Sequence, residues 1–288
     1  VIGINYAQSS YDAYKEKYPE RPIVGSENCC AFSTRGIYET SEETLYFDSY
    51  DTQKANWGDT ARKSWREVKS RDFIAGEFVW TGFDYRGEPS PHQWPCINSH
   101  WGIMDTCGFA KDSFYLYQAF WTSEPMVHLL PHWNWNEGDT VKVMAFSNCE
   151  AVELLLNDKS LGQKPVDPFD QVSWEVPWEP GLLRAVARRE GAIVAADNVQ
   201  TTGEAAELRL QPERTELAAD GQDAVPVKIS AVDAEDRFVP TAEDLVTFSI
   251  EGPGRIIGLG NGGPTCHEAD KGNERSLFAG LCQVIVQA

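Results

Sequence analysis

The sequence predicts a three-part chain, a parallel α/β unit followed by two antiparallel β-sandwiches, and three observations carry that expectation. Up to about residue 124 short apolar runs alternate with helical patterns, the grammar of a parallel sheet. Beyond it, short strands alternate with turn-rich pieces, as sandwiches require. Aromatic residues are unevenly shared as well: eight of the ten Trp lie at or before Trp135 and all ten Tyr at or before Tyr117.

In the first part, Val1-Ile-Gly-Ile-Asn-Tyr6 reads as a buried strand, Ser10 to Tyr18 as a short helix and Arg21-Pro-Ile-Val-Gly25 as a second buried strand. Ser41-Glu-Glu43 has the form of a cap for a long helix that runs, with a break near Trp57-Gly58, to about Lys69. Phe73 to Trp80 is a third apolar strand and Asp112 to Trp121 a last amphipathic helix. In the second part, His128-Leu-Leu130, Thr140 to Phe146, Ala151 to Leu156, Gln171 to Val176 and Leu182 to Ala187 are short strands of an antiparallel sandwich of about seven. Turn-rich pieces such as Asn136-Glu-Gly-Asp139 and Asn157-Asp-Lys-Ser160 separate them. Gln200-Thr-Thr-Gly203 is the joint to a second set: Glu207 to Leu210, Val225 to Val232, Leu245 to Ile250, Gly254 to Leu259 and Cys282 to Val286.

Composition narrows the function. With 25 basic against 44 acidic residues the net charge is −19, which repels phosphates and anionic lipid, so nucleic acid and membrane surfaces are not expected partners. There is no apolar run of about 18 residues and no signal-peptide pattern, and the chain opens with Val1. Seven cysteines form no C-x-x-C pair, and their odd number favours reduced, structural thiols. That habit leans toward the cytoplasm, and the compartment is otherwise left open. The five histidines are scattered along the chain, so neither a metal nor a cofactor is expected.

Two segments carry chemistry. Ile23-Val-Gly-Ser-Glu27 ends a buried strand in small residues and puts a carboxylate at its C-terminal end, the end on which parallel barrels place catalytic groups. Taken alone, the pentapeptide favours reading Glu27 as an N-terminal charge on a following helix. Glu77-Phe-Val-Trp80-Thr-Gly-Phe-Asp84-Tyr-Arg-Gly-Glu88-Pro also runs from a strand into a loop with an aromatic, carboxylates and an Arg, followed by Trp94 and Trp101. Sugars, with flat apolar faces rimmed by hydroxyls, need such a combination. The alternative is that the Trp side chains pack and Asp84 pairs with Arg86 at the surface.

Asn5-Tyr6, Ile23 to Glu27, Phe73 to Pro89 and Gly108-Phe-Ala-Lys-Asp112 together resemble the last three strands of the barrel of glycoside hydrolase family 2 β-galactosidases. Residues from about 125 to 200 resemble the immunoglobulin-like domain that follows that barrel in one branch of the family. Val246 to Gly254, Gly258-Leu-Gly-Asn-Gly262, His267-Glu268 and Val284 to Gln287 resemble its C-terminal sandwich. The resemblance covers essentially the whole chain and implies three units: residues 1–124, the C-terminal part of a (β/α)8 TIM barrel; 125–203, an immunoglobulin-like β-sandwich; and 204–288, a second one.

Carried over by position, the resemblance implies that Glu27 is the nucleophile of a retaining glycosidase and that Tyr6 orients it. Trp80 would floor the sugar subsite and Asp84 would take sugar hydroxyls, with Asn98 and Glu88 as further substrate contacts. The implied partner is a carbohydrate, a β-galactoside, and homo-oligomerisation is left open. The family's acid/base glutamate, in an Asn-Glu pair on an earlier strand, has no counterpart in these residues, and Glu77 lies too far inside its strand to replace it. The expectation is therefore a fragment that is inactive alone. Cys29 and Cys30 are expected to pack under the loop after Glu27. Competing readings are a β-glucuronidase or β-mannosidase of the same family, or a non-catalytic carbohydrate-binding or adhesion protein, for which Trp133 and Trp135 would either bind sugar or pack against the barrel.

Overall fold

The computed structural model describes all residues from Val1 to Ala288. The first unit contains β1 (Ile2–Asn5), α1 (Tyr11–Lys17), β2 (Ile23–Glu27), the two-residue strands β3 (Ala31–Phe32) and β4 (Gln53–Lys54), α2 (Ala61–Lys69), β5 (Ile74–Glu77) and α3 (Asp112–Trp121). β1, β2 and β5 form a parallel sheet in that order, with Ile2 opposite Ile23 and Ile23 opposite Ile74. Ile4, Ile23 and Ile74 pack with Tyr11 of α1 and Val68 of α2, so one face of the sheet is sealed by helices. Three strands do not close a barrel, which needs eight at this tilt, and the sheet is open at both edges.

The long helix expected from Ser41 does not form. Ser41 Oγ accepts the amide of Thr44 and makes a local turn. Further on, the Asp48 carboxylate gathers the Tyr50 amide and the hydroxyls of Thr40 and Thr52. Such side-chain bonds offer the backbone an alternative to helix. Phe47, Asp48, Ser49, Tyr50 and Asp51 are all buried in succession, a pattern no one-sided helix can satisfy. The helix begins only at Ala61. Thr60 caps it, and Asp51, buried, accepts the amides of Ala61 at 2.8 Å and Arg62 at 3.0 Å.

The second unit is a sandwich of seven strands: β6 (Val127–Leu130), β7 (Thr140–Ser147), β8 (Ala151–Leu156), β9 (Lys159–Pro165), β10 (Val172–Pro177), β11 (Leu182–Arg189) and β12 (Ala192–Gln200). Its sheets run β10-β7-β6 and β12-β11-β8-β9. Alternation directs Val172, Trp174 and Val176 of one sheet and Val152, Leu154 and Leu156 of the other into a common core. β9 and β12 are the two strands not placed from sequence. Both are edges without a fully buried residue, only Leu161, Ala195 and Val199 packing partly on the core, so the apolar alternation that marks a strand is weak in them. Trp133 is fully buried in this sandwich's own core, its indole donating to Glu179 O at 2.9 Å. Trp135 stacks on His132.

The third unit holds β13 (Glu207–Pro212), β14 (Ala224–Val232), β15 (Leu245–Thr247), β16 (Arg255–Gly260), β17 (Glu274–Ser276) and β18 (Leu281–Gln287). A sheet ordered β13-β14-β18-β16 faces the β15-β17 ribbon over Ile229, Ala231, Val246, Leu259, Leu277, Cys282 and Val284. Arg35 locks this unit to the first. Its guanidinium donates to Asp105 Oδ2 at 2.7 Å and to the carbonyls of Asn261, Phe278 and Ala279 at 2.8, 2.7 and 3.2 Å.

Candidate active site

Parallel pairing sets Asn5 at the end of β1 opposite Glu27 at the end of β2. The Asn5 side-chain amide donates to Glu27 Oε1 at 2.9 Å, and the Tyr6 hydroxyl donates to Oε2 at 2.9 Å. Ser26 Oγ bonds the other end of the Asn5 amide and fixes its orientation. Tyr6 is also held by its backbone, which adopts φ of 51° and donates its N–H to Glu27 O at 2.8 Å. Burial, helped by the hydrogen bond given to Glu27, pushes the phenol pKa up, so Tyr6 stays protonated and remains a donor. A carboxylate offers about four lone-pair directions, and the two neighbours use one on each oxygen.

Behind Glu27 lies Asn28, buried and fully engaged. Its backbone carbonyl accepts Gln8 Nε2 and Ser64 Oγ, both at 3.0 Å, and its side chain bridges Tyr11 Oη at 3.0 Å to Glu77 Oε2 at 3.0 Å. Gly25 makes the room, since a Cβ there would stand 2.1 Å from Asn28 Nδ2. Glu77 closes β5 rather than lying within it, its Oε1 enclosed without a partner. Burial raises its carboxyl to about 7, against the Asn28 hydrogen bond.

Trp80 lies half-buried with Tyr6 and Tyr85 on a cluster of Cys30, Phe32, Phe47, Ala55 and Trp101. It meets Tyr85 edge-on, with ring centroids 6.1 Å apart. Glu88, exposed, accepts the Tyr85 hydroxyl at 2.9 Å. The structure thus gathers Glu27, Tyr6 and Trp80, with Glu88 tied in through Tyr85.

Asp84 and Asn98 are placed differently from the expectation. Asp84 is turned inward: Oδ2 pairs with the buried Lys111 Nζ at 2.7 Å and Oδ1 accepts the Gly102 amide at 2.8 Å. Its carboxyl is raised to about 6 by burial, with Lys111 acting in the opposite sense. Both oxygens are committed to the fold and not to an open site. Arg86 pairs with Asp270 of the third unit at 2.8 Å instead of with Asp84. Asn98 is buried against that unit as well, donating to Gly263 O at 3.3 Å, with Oδ1 enclosed and unpartnered.

Sequence reading gave no role to Asn5, Asn28 or Cys30. The signal was available for Asn5, because two parallel strands in register bring the residues at their C-terminal ends side by side. No local pattern marks Asn28, whose partners come from residues 8, 11, 64 and 77. His92, Cys96 and His100 stand four residues apart in sequence and meet in the fold. Cys96 Sγ lies 3.4 Å from His100 Nε2, and the two imidazoles meet edge-on at 5.3 Å. All seven cysteines are free thiols.

A cleft of about 420 Å³ opens elsewhere, lined by residues of all three units that include Tyr38, Asp112, His128, Asn198 and Phe238. It contains neither Glu27 nor Trp80. Its ionisable groups already serve one another, His128 Nε2 standing 2.7 Å from Asp112 Oδ1.

Comparison with known proteins bears on the same residues. A family profile described as glycoside hydrolase family 2 C-terminal domain 5 matches residues 208–288, and a domain of unknown function (DUF4982) matches residues 138–195. The β-galactosidase BoGH2A of Bacteroides ovatus is 38% identical over 305 residues, covering 100% of this chain and 36% of its own length. A putative β-glucuronidase of Formosa agariphila is 27% identical over 332 residues, covering 100% of this chain and 32% of its own. Among solved structures, a β-glycosidase from Bacteroides vulgatus superposes with a TM-score of 0.91 at 31% identity, covering 100% of this chain and 42% of that one. The chain therefore spans about a third of the length of the curated relatives it matches. Sheet order, strand-end carboxylate and full-length similarity agree, and this chain belongs to glycoside hydrolase family 2.

Proposed function

We propose that residues 1–124, 125–203 and 204–288 are the end of a catalytic (β/α)8 barrel and two immunoglobulin-like sandwiches of a retaining glycosidase. Its substrates are terminal β-galactosides, and Glu27 is its nucleophile. One observation carries the reading: Glu27 stands at the C-terminal end of the middle parallel strand, with one carboxylate oxygen held by Asn5, the last residue of the neighbouring strand, and the other by Tyr6, the residue after it.

In a double displacement Glu27 attacks the anomeric carbon while a second carboxylic acid protonates the departing oxygen. Water then cleaves the glycosyl-enzyme with that same group acting as base. Tyr6 and Asn5 aim Glu27 through the hydrogen bonds they donate, one to each carboxylate oxygen. Trp80 offers a face on which the apolar side of a sugar ring stacks. Asp84 holds Lys111 and the Gly102 turn rather than meeting the sugar.

The galactoside assignment rests on the Tyr85-Arg-Gly-Glu-Pro89 loop and the Bacteroides ovatus relative. The Formosa relative supports a second reading, a β-glucuronidase. A panel of aryl β-glycosides on the longest polypeptide that carries this chain, wild type and Glu27→Gln, tests both. Hydrolysis of the galactoside that is lost in the variant supports the proposal. Preference for the glucuronide overturns the sugar assignment, and a Glu27→Gln protein with undiminished turnover overturns the nucleophile.

A further inference from the structure

Cys30 takes no part in the double displacement, yet it touches the residue that aims Glu27. Its Sγ donates to the Tyr6 hydroxyl at 3.5 Å, and the same oxygen donates to Glu27 Oε2 at 2.9 Å. The thiol is buried, and burial raises its pKa, which keeps it an S–H donor. Its backbone is pinned on both sides: Cys30 N donates to Asp59 O and Ala55 N donates to Cys30 O, each at 3.0 Å. Gly58 packs directly on it, for a Cβ there would lie 2.3 Å from Cys30 Cβ. The thiol therefore has one seat and a fixed neighbour.

A phenol hydrogen prefers the plane of its ring and chooses between two directions there. A hydroxyl has one hydrogen to give and lone pairs to receive with. When Cys30 donates to the Tyr6 oxygen, the single Tyr6 hydrogen is left for Glu27. Without that donor the hydrogen has less reason to point at the carboxylate.

We propose that Cys30 is a positioning residue for the Glu27 carboxylate, acting through the Tyr6 hydroxyl. The proposal rests on Glu27 being the nucleophile. It assigns a role to the segment Ala55 to Asp59, which holds Cys30 in place from outside the parallel sheet. It also explains why a small residue with a donor hydrogen stands three positions after Glu27.

The test compares Cys30→Ala, Cys30→Ser, Tyr6→Phe and the Tyr6→Phe/Cys30→Ala pair in the longest polypeptide that carries this chain, with p-nitrophenyl β-D-galactoside as probe. Cys30→Ala lowers kcat about two- to tenfold with KM nearly constant. Cys30→Ser restores kcat, because its hydroxyl donates in the same place. In the Tyr6→Phe background Cys30→Ala has no further effect, since its target is gone. Equal losses in both backgrounds, or a serine variant no better than the alanine, overturn the proposal. Glu27→Gln assayed alongside separates the two levels: turnover lost there while Cys30→Ala matches wild type refutes the Cys30 role alone. Turnover kept in Glu27→Gln refutes the nucleophile on which it rests.

Discussion

Asn28 donates its side-chain amide to Glu77 Oε2 at 3.0 Å and thereby ties the strand ending in Glu27 to the strand ending in Glu77. The amide has no freedom to flip, because its oxygen is taken by the Tyr11 hydroxyl. Glu77 brings a burial cost to this bridge, and burial raises its carboxyl from an ordinary 4.5 to about 7. The folded state thus holds a proton that the unfolded chain releases in that window. The stabilisation is complete below about pH 4.5 and is lost as pH rises through 7. In Glu77→Gln this loss should vanish, so its melting temperature falls less between pH 5 and pH 8 than the wild type's. Equal falls in thermal scans at the two pH values would show that Glu77 does not titrate there.

His100 gives the opposite slope. Burial, then Lys111 and His92, lower its pKa to about 2, so it is neutral in the fold and protonates on unfolding. Stability from this group is complete above about pH 6.5 and is lost progressively as pH falls toward 2. His100→Gln is expected to be less stable at pH 7, with its contacts to Thr34 and Cys96 altered, yet to lose less on going from pH 7 to pH 5. Urea midpoints at both pH values measure it, and a steeper loss in the variant contradicts the assignment.

Tyr6→Phe keeps the ring in its packed place and removes the hydroxyl that donates to Glu27 and accepts from Cys30. A hydrogen bond to a charged group contributes about 1.5 to 3 kcal/mol, which corresponds to a fall in kcat of roughly ten- to a hundredfold. The circular dichroism spectrum should not change. Steady-state kinetics on an aryl β-galactoside decide the point, and a kcat within twofold of wild type would mean that Tyr6 merely packs.

Arg35 and Asp105 are both buried, with side-chain exposures of 7% and 1%, and meet at 2.7 Å. Removing one partner strands the other charge, so Asp105→Asn is expected to cost about 3 to 5 kcal/mol. Because Arg35 also holds three carbonyls of the third unit, the loss should appear as earlier melting of that unit, splitting the calorimetric transition. A single transition at the wild-type temperature would show that the pair does not couple the units.

What was legible in the sequence was what neighbours dictate. The parallel strands around Ile4, Ile23 and Ile74 and the sandwich strand Val172 to Pro177 declare themselves by their buried residues. β9 and β12 do not, because an edge strand satisfies its backbone without burying a face. The stretch from Ser41 to Thr60 reads as helix because its cap and length are right, while the side-chain bonds of Asp48 that defeat it show only in three dimensions. Of the residues singled out for a site, Tyr6 hydrogen-bonds Glu27 and packs on the same cluster as Trp80. Asp84 fails as a free ligand because Lys111, 27 positions away in the chain, claims it, and nothing near Asp84 announces that pairing.

The central claim is that Glu27 forms the covalent intermediate, and it can be seen directly. The longest polypeptide carrying this chain is incubated with 2,4-dinitrophenyl 2-deoxy-2-fluoro-β-D-galactoside, digested and examined by peptide mass spectrometry. The account predicts one fluorogalactosyl adduct, on Glu27, that is absent from the Glu27→Gln protein. An adduct on another carboxylate such as Glu77, or turnover of galactosides with no adduct at all, would contradict it.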